Sequence, residues 1–92
     1  MVIIIGGKQV DLSAVLPLKL RHWKELEKVG ITDGKLRDNA SATLISQLMY
    51  YVLNKADASV TQDMVDDEFT INDPRLIEIA HAIVGEKADR PT

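Results

Sequence analysis

Four carboxylates crowd one short stretch of the chain, Asp63, Asp66, Asp67 and Glu68. Carboxylates at that density could hold a cation. A calcium loop, however, alternates its oxygen ligands, turns on a central glycine and closes on a distal glutamate. None of that spacing is present, and on a helix these side chains point in different directions, so the stretch reads as a solvated acidic face. His22 and His81 are the candidate general bases near neutral pH. His81 follows Glu78 by three positions on a polar helix side, where a surface pair is expected, and His22 borders an apolar face. A hydrolytic triad needs a nucleophile held against such a base, and no motif around Ser13, Ser41, Ser46 or Ser59 suggests one. Gly6-Gly7 lacks the longer spacing and the Lys-Ser/Thr pair with which a phosphate loop grips a nucleotide. There is no cysteine, which excludes a disulfide framework, a thiolate zinc site and a cysteine nucleophile together. The reading is of a protein with no catalytic residue, no metal site and no cofactor.

Composition agrees with a binding role. Ninety-two residues are expected to form a single globular domain over positions 1–85, with a frayed polar tail at 86–92. The 11 basic and 14 acidic residues leave a formal charge of −3, and the basic ones are dispersed, so the electrostatic footprint of a nucleic-acid binder is missing. The longest apolar run, at positions 2–5, is far too short for a membrane span or a signal-peptide core, and cytosolic residence is expected.

The elements that must position these residues make a mainly α fold: an N-terminal β-hairpin followed by a small bundle of about four helices. Val2-Ile3-Ile4-Ile5 is β-branched throughout, Gly6-Gly7 can supply a tight primed turn, and Lys8-Gln9-Val10-Asp11-Leu12 alternates polar and apolar. Two strands alone are marginal in water, so the hairpin must dock, and its outer edge is a possible pairing site. The first helix is expected from Pro17 to Val29, with Gly30 as its left-handed cap and with Leu20, Trp23, Leu26 and Val29 on its buried side. Arg21 and Glu25 sit one turn apart on its polar side. Ile31-Thr32-Asp33-Gly34 reads as a turn. The second helix runs from a cap at Asp38 or Asn39 to Lys55. The third starts at the N-cap Thr61, carries Asp63 in its first turn and stops by Phe69. The fourth opens on Asp73-Pro74, closes at Gly85, and buries an arc of Leu76, Ile77, Ile79, Ala80, Ile83 and Val84.

The second of these helices is apolar over roughly 200°, twice the usual stripe of a surface helix. Ala42, Leu44, Ile45, Leu48, Met49, Tyr51, Val52 and Leu53 form its arc. A helix this apolar is either central to the fold or meets a partner with half of its arc. Tyr50 projects to the opposite side, expected to face solvent, among Thr43, Ser46, Gln47 and Asn54. Large aromatics with few rotors are favoured at interface hot spots. Trp23, Met49, Tyr50 and Leu53 are accordingly the candidate protein-binding residues, touching a client or a second copy in a homo-oligomer.

A helix-turn-helix built from the third and fourth helices would present Asp66, Asp67, Glu68, Asp73 and Glu78 to phosphates, and repulsion opposes it. A DNA-binding regulator is thus less favoured than a protein-interaction module. Another small acidic interaction module, such as a secretion-type chaperone or a phage adaptor or inhibitor, is the nearer alternative.

From Gly7 to about Val84 the chain resembles a small tail-assembly chaperone of long-tailed bacteriophages. The likeness lies in the order of elements: the strand pair at positions 3–12, the helix Leu16-Pro17-Leu18-Lys19-Leu20-Arg21-His22-Trp23-Lys24-Glu25-Leu26-Glu27 ending in Val29-Gly30, and a long apolar helix containing Leu48-Met49-Tyr50-Tyr51-Val52-Leu53. Asn54-Lys55-Ala56-Asp57-Ala58-Ser59-Val60-Thr61-Gln62-Asp63-Met64-Val65 then resembles the family's passage into its short third helix. The resemblance implies a non-catalytic role in phage or prophage tail assembly, in the host bacterial cytoplasm and not in the mature virion. The implied partners are the aggregation-prone tape measure protein and the tail tube protein, with no nucleic acid and no membrane. The family has no strict functional motif, so no binding residue is carried over from it.

Overall fold

The computed structural model describes residues 1–38 and 41–84. A hairpin of β1 (Val2–Ile5) and β2 (Lys8–Asp11) leads into five helices: α1 (Leu20–Lys28), α2 (Asp33–Asp38), α3 (Ala42–Ala56), α4 (Gln62–Glu68) and α5 (Pro74–Val84). The expected mainly α architecture with an N-terminal hairpin is what the chain adopts. Gly85 and the tail at 86–92 lie outside the described residues, as does Asn39.

The hairpin forms where β-branched residues meet a two-glycine turn. Gly6 and Gly7 take φ of 58° and 80°, the positive angles of a primed turn, and pair Ile5 with Lys8 and Ile3 with Val10. The alternation of the pleat then buries Ile3, Ile5 and Val10 and leaves Val2 and Ile4 about half exposed.

Helix α1 begins three residues later than expected. The Leu18 N–H is bonded to the Ile83 carbonyl at 2.9 Å, which ties this stretch to α5. Lys19 stays extended, and its N–H donates to His22 Nδ1 at 3.0 Å. The inward line of α1 is also narrower than read. Leu26 is fully buried and Trp23 half-buried, whereas Leu20 and Val29 are 82% and 66% exposed. At 100° per residue Leu20 lies about 120° round the helix from Leu26, and Val29 is already outside the helix as its C-cap. The turn expected at positions 31–34 instead opens the six-residue α2, with the Thr32 hydroxyl accepting the Lys35 N–H at 3.2 Å.

Helix α3 is the centre of the bundle. Its N-cap is Ser41, whose hydroxyl accepts the Leu44 N–H at 3.1 Å, and not Asp38 or Asn39 as expected. Leu48, Met49, Val52 and Leu53 are all buried. The wide arc has internal neighbours on two sides: the Tyr51 hydroxyl donates to Glu25 on α1, and the Gln62 amide on α4 donates to Ser46 Oγ at 2.7 Å. Thr61 caps α4 and Asp63 occupies its first turn, as expected. On α5 the expected apolar arc is only partly covered. Ile79 and Ile83 are buried and Leu76 half-buried, while Ile77 and Ala80 stay exposed because the helix packs along one side.

Candidate interaction surface

Three clusters of polar side chains hold the elements of the fold together. Arg75 is the clearest case. Its guanidinium donates to both Asp73 oxygens, with Nη2 to Oδ2 at 2.6 Å, to Glu68 Oε2 at 3.2 Å, and to the Ile4 carbonyl at 3.0 Å. It also lies over the Phe69 ring, 4.6 Å from the centroid. Glu68 Oε1 accepts the Gly6 N–H at 2.9 Å. That bond, and then the Arg75 pair, hold the Glu68 carboxyl below its ordinary range, and Arg75 does the same to Asp73. This cluster staples the hairpin turn to the α4–α5 corner.

A second cluster joins α1 to α3. Glu25 takes the Tyr51 hydroxyl and the Lys55 ammonium, the latter at 3.2 Å, and not Arg21 one turn away. Lys55 stands 5.5 Å from the Tyr51 ring centre, and His22 meets that ring edge-on at 6.4 Å. Burial and the Glu25 bond raise the Tyr51 phenol well above its usual value, while the same bond and Lys55 lower Glu25. His22, read in the sequence as a possible base, is thus a cap of α1 and a neighbour of Tyr51. A third cluster fixes the α3–α4 loop: Asp57 accepts from Ser59 and pairs with Lys8 at 3.0 Å.

Against this background the candidate site is an apolar groove between the N-terminal half of α3, the end of α4 and the start of α5. Seven of its lining residues are apolar: Ala42, Ile45, Met49, Val65, Phe69, Ile71 and Leu76. Ser46, Asp66 and Thr70 supply the polar rim. The groove encloses about 270 Å³, with buried Met49 and Val65 as its floor and Ile71, 62% exposed, on its wall. Ile77, next to Leu76 in the chain, is equally exposed. A single scattered apolar side chain on a surface means little, but apolar residues gathered around a concavity mark an interaction site.

The residues singled out in the sequence take different places here. Met49 and Leu53 are 2% and 0% exposed, so neither presents a free surface. As directly exposed contacts they are corrected, because α3 is covered by its own neighbours, α4 among them. Met49 still reaches the groove as its floor. Tyr50, expected to face solvent, is half-buried and packed against the core. Trp23 is half-buried in a separate depression of about 370 Å³ with Leu18, Leu20 and Ile83, where Glu27, Thr32 and Asp33 make the lining more polar. Periodicity could not have pointed to Ile71, which lies in the loop between α4 and α5.

The acidic stretch divides by role. Glu68 belongs to the Arg75 cluster, Asp66 borders the groove and accepts hydrogen bonds from Ser46 and Gln62, and Asp63 and Asp67 are exposed. Among the described residues no set of three or more histidines and carboxylates is arranged to hold a metal, and no helix is long and apolar enough to cross a membrane. No family model, curated protein or solved structure matches this chain.

Proposed function

We propose that the protein is a non-catalytic tail-assembly chaperone of the long-tailed phage kind. In this reading it covers an apolar stripe of a long helical client, the tape measure protein, in the host cytoplasm until tail tube subunits assemble. The observation that carries the reading is the open groove of Ile45, Met49, Val65, Phe69, Ile71 and Leu76, where apolar side chains gather around a concavity of an acidic protein. A groove of this kind suits helix-in-groove recognition, in which side chains at i, i+3 or i+4, and i+7 of the client enter the concavity. The order of elements, hairpin then helices with a long apolar one among them, supports the same reading through the resemblance noted above. The acidic exterior keeps the pair from aggregating further.

The test is co-expression with the tape measure protein of the same genome, comparing the wild type with Ile71→Asp. Ile71 is exposed, so the variant keeps its helical circular dichroism. The expected result is a client that stays in the supernatant with the wild type and moves to the pellet with the variant. A client equally dispersed by both, or by neither, contradicts the reading. A second copy of this chain is the competing occupant. A solution mass that rises with concentration in the wild type and not in Ile71→Asp would assign the groove to self-association instead.

A further inference from the structure

We infer that His22 is a pH-sensitive cap of α1: neutral, its ring locks the first turn, and protonated, it releases that turn. His22 is the third residue of the helix, and its Nδ1 accepts the N–H of the N-cap residue Lys19 at 3.0 Å. Glutamate or glutamine at this position closes a capping box by reaching back to the same N–H. Here an imidazole takes that place. Because the donor is a backbone N–H, Nδ1 must offer a lone pair, and the proton of the neutral ring sits on Nε2. A second proton turns the acceptor into a donor that faces a donor, and the bond is lost. Imidazole is the side chain that gains its proton near neutrality, at about pH 6.5.

The groups around the ring give the protonated form a second place to go. Lys19 and Arg21 line one depression with His22, and the first turn of α1 holds no acidic residue. These cations and the positive end of the helix dipole oppose a charged ring in the capping position. Ser13, from the loop before α1, lines the same depression and is bonded to Asp11. From α3, Tyr51 meets the ring edge-on at 6.4 Å, with Lys55 beside it, 5.5 Å from the Tyr51 ring centre. Glu25, three positions on along α1, is within electrostatic reach of His22 and draws a charged ring away from Lys19, in competition with Lys55. The bond lost at the cap and the pair gained at Glu25 offset each other, so the change is a local rearrangement and not unfolding.

The turn that is released borders an apolar depression. The His22 and Trp23 N–H groups close it on the Lys19 carbonyl at 2.9 and 3.1 Å, and the Leu18 N–H anchors its approach to Ile83. Leu18, Leu20, Trp23 and Ile83 line the depression. Loosening the first turn therefore opens it at Trp23, the single tryptophan of the chain and a built-in reporter.

The experiment is an NMR titration of the whole protein from pH 8 to pH 5, with hydrogen exchange and tryptophan emission followed in parallel. As the His22 ring takes up its proton, the Lys19 amide proton should move upfield with the same midpoint. The His22 and Trp23 amides should lose about fivefold in protection, the factor a capping contact is worth, while the amides of α3 keep theirs. Trp23 emission should shift to the red over the same range. His22→Gln keeps an acceptor for the Lys19 N–H and cannot titrate, so its Lys19 and Trp23 signals should stay constant. His22→Ala should show the released signals already at pH 8. A pH response that survives in His22→Gln belongs to another group and overturns the inference. The wild type alone also decides it: a Lys19 amide that stays in place while His22 titrates, or a His22 ring still neutral at pH 5, overturns the switch.

Discussion

The Gly6 N–H donates to Glu68 Oε1 at 2.9 Å across 62 positions of sequence, so the hairpin turn and the end of α4 are held by one hydrogen bond. The other Glu68 oxygen takes Arg75, which in turn holds Asp73 and the Ile4 carbonyl. The outcome is a corner where the two-stranded hairpin, too small to be stable alone, is fastened to the helices. The Arg75 bond to the Ile4 carbonyl also occupies part of the outer edge of β1, which the sequence left open as a pairing site.

Removing the guanidinium should therefore loosen the hairpin before the bundle. Arg75→Ala is expected to lower Tm by about 5 °C or more, since hydrogen bonds to charged groups are the stronger ones and small domains shift by several degrees per kcal/mol. Glu68→Gln should lower it less, and the double variant by less than the sum of the two, because the residues share one network. Thermal unfolding by circular dichroism checks the order; strictly additive shifts would contradict a shared network, and no shift would mean that the cluster does not stabilise the fold.

Acid stability follows from the same carboxylates. Asp57 is drawn down to about 2 from an ordinary 3.8, first by the Ser59 hydroxyl, then by the Ser59 N–H and Lys8. Glu68 and Asp73 are lowered as well. A carboxyl whose folded value lies below its unfolded one stabilises the fold above the unfolded value, and the gain is lost as pH falls. Stability should be flat near neutrality and decline from about pH 4.5 toward pH 2. Asp57→Asn should flatten that decline, and a variant with an unchanged acid limb would contradict the assignment.

The alkaline limb has the opposite sign. Burial and the Glu25 bond raise Tyr51 above its ordinary 10.0, so its stabilisation is present below that value and is lost as pH rises past it. Stability should fall above about pH 10, and Tyr51→Phe should remove most of that dependence while lowering stability at neutral pH. Denaturant midpoints measured at pH 8 and above provide the check.

Burial separates two leucine-like positions that composition treats alike. Leu53→Ala should cost roughly 2–5 kcal/mol, the range for emptying a core site, whereas Ile71→Ala should change stability by no more than about 0.5 kcal/mol. Urea unfolding of both distinguishes a core arc on α3 from an exposed one.

Much of the fold was readable from local chemistry. Gly6-Gly7 after a β-branched run, Thr61 before Asp63, and Asp73-Pro74 each announce an element by its cap or turn. What escaped depends on contacts distant in sequence. Asp33-Gly34 looks like a turn because the six residues of α2 contain a single apolar side chain, Leu36, and show no period. The start of α1 was misplaced because it is decided by Leu18 bonding to Ile83, 65 residues away. The breadth of the α3 arc was visible. Its two explanations, a central helix or a partner-facing one, could be told apart only by seeing α4 packed on it. The groove was invisible for a related reason: its walls come from three helices and a loop, and Ile71 belongs to no periodic pattern.

The measurement that bears most directly on the groove is site-specific photo-crosslinking in cells co-expressing the tape measure protein. A photoreactive residue replaces Ile71 in one variant and Leu20, 82% exposed beside Trp23, in another. The account predicts a crosslinked client band from position 71 and none from position 20. Crosslinks from position 20 with none from position 71 would contradict it and move the binding surface to the Trp23 face of α1.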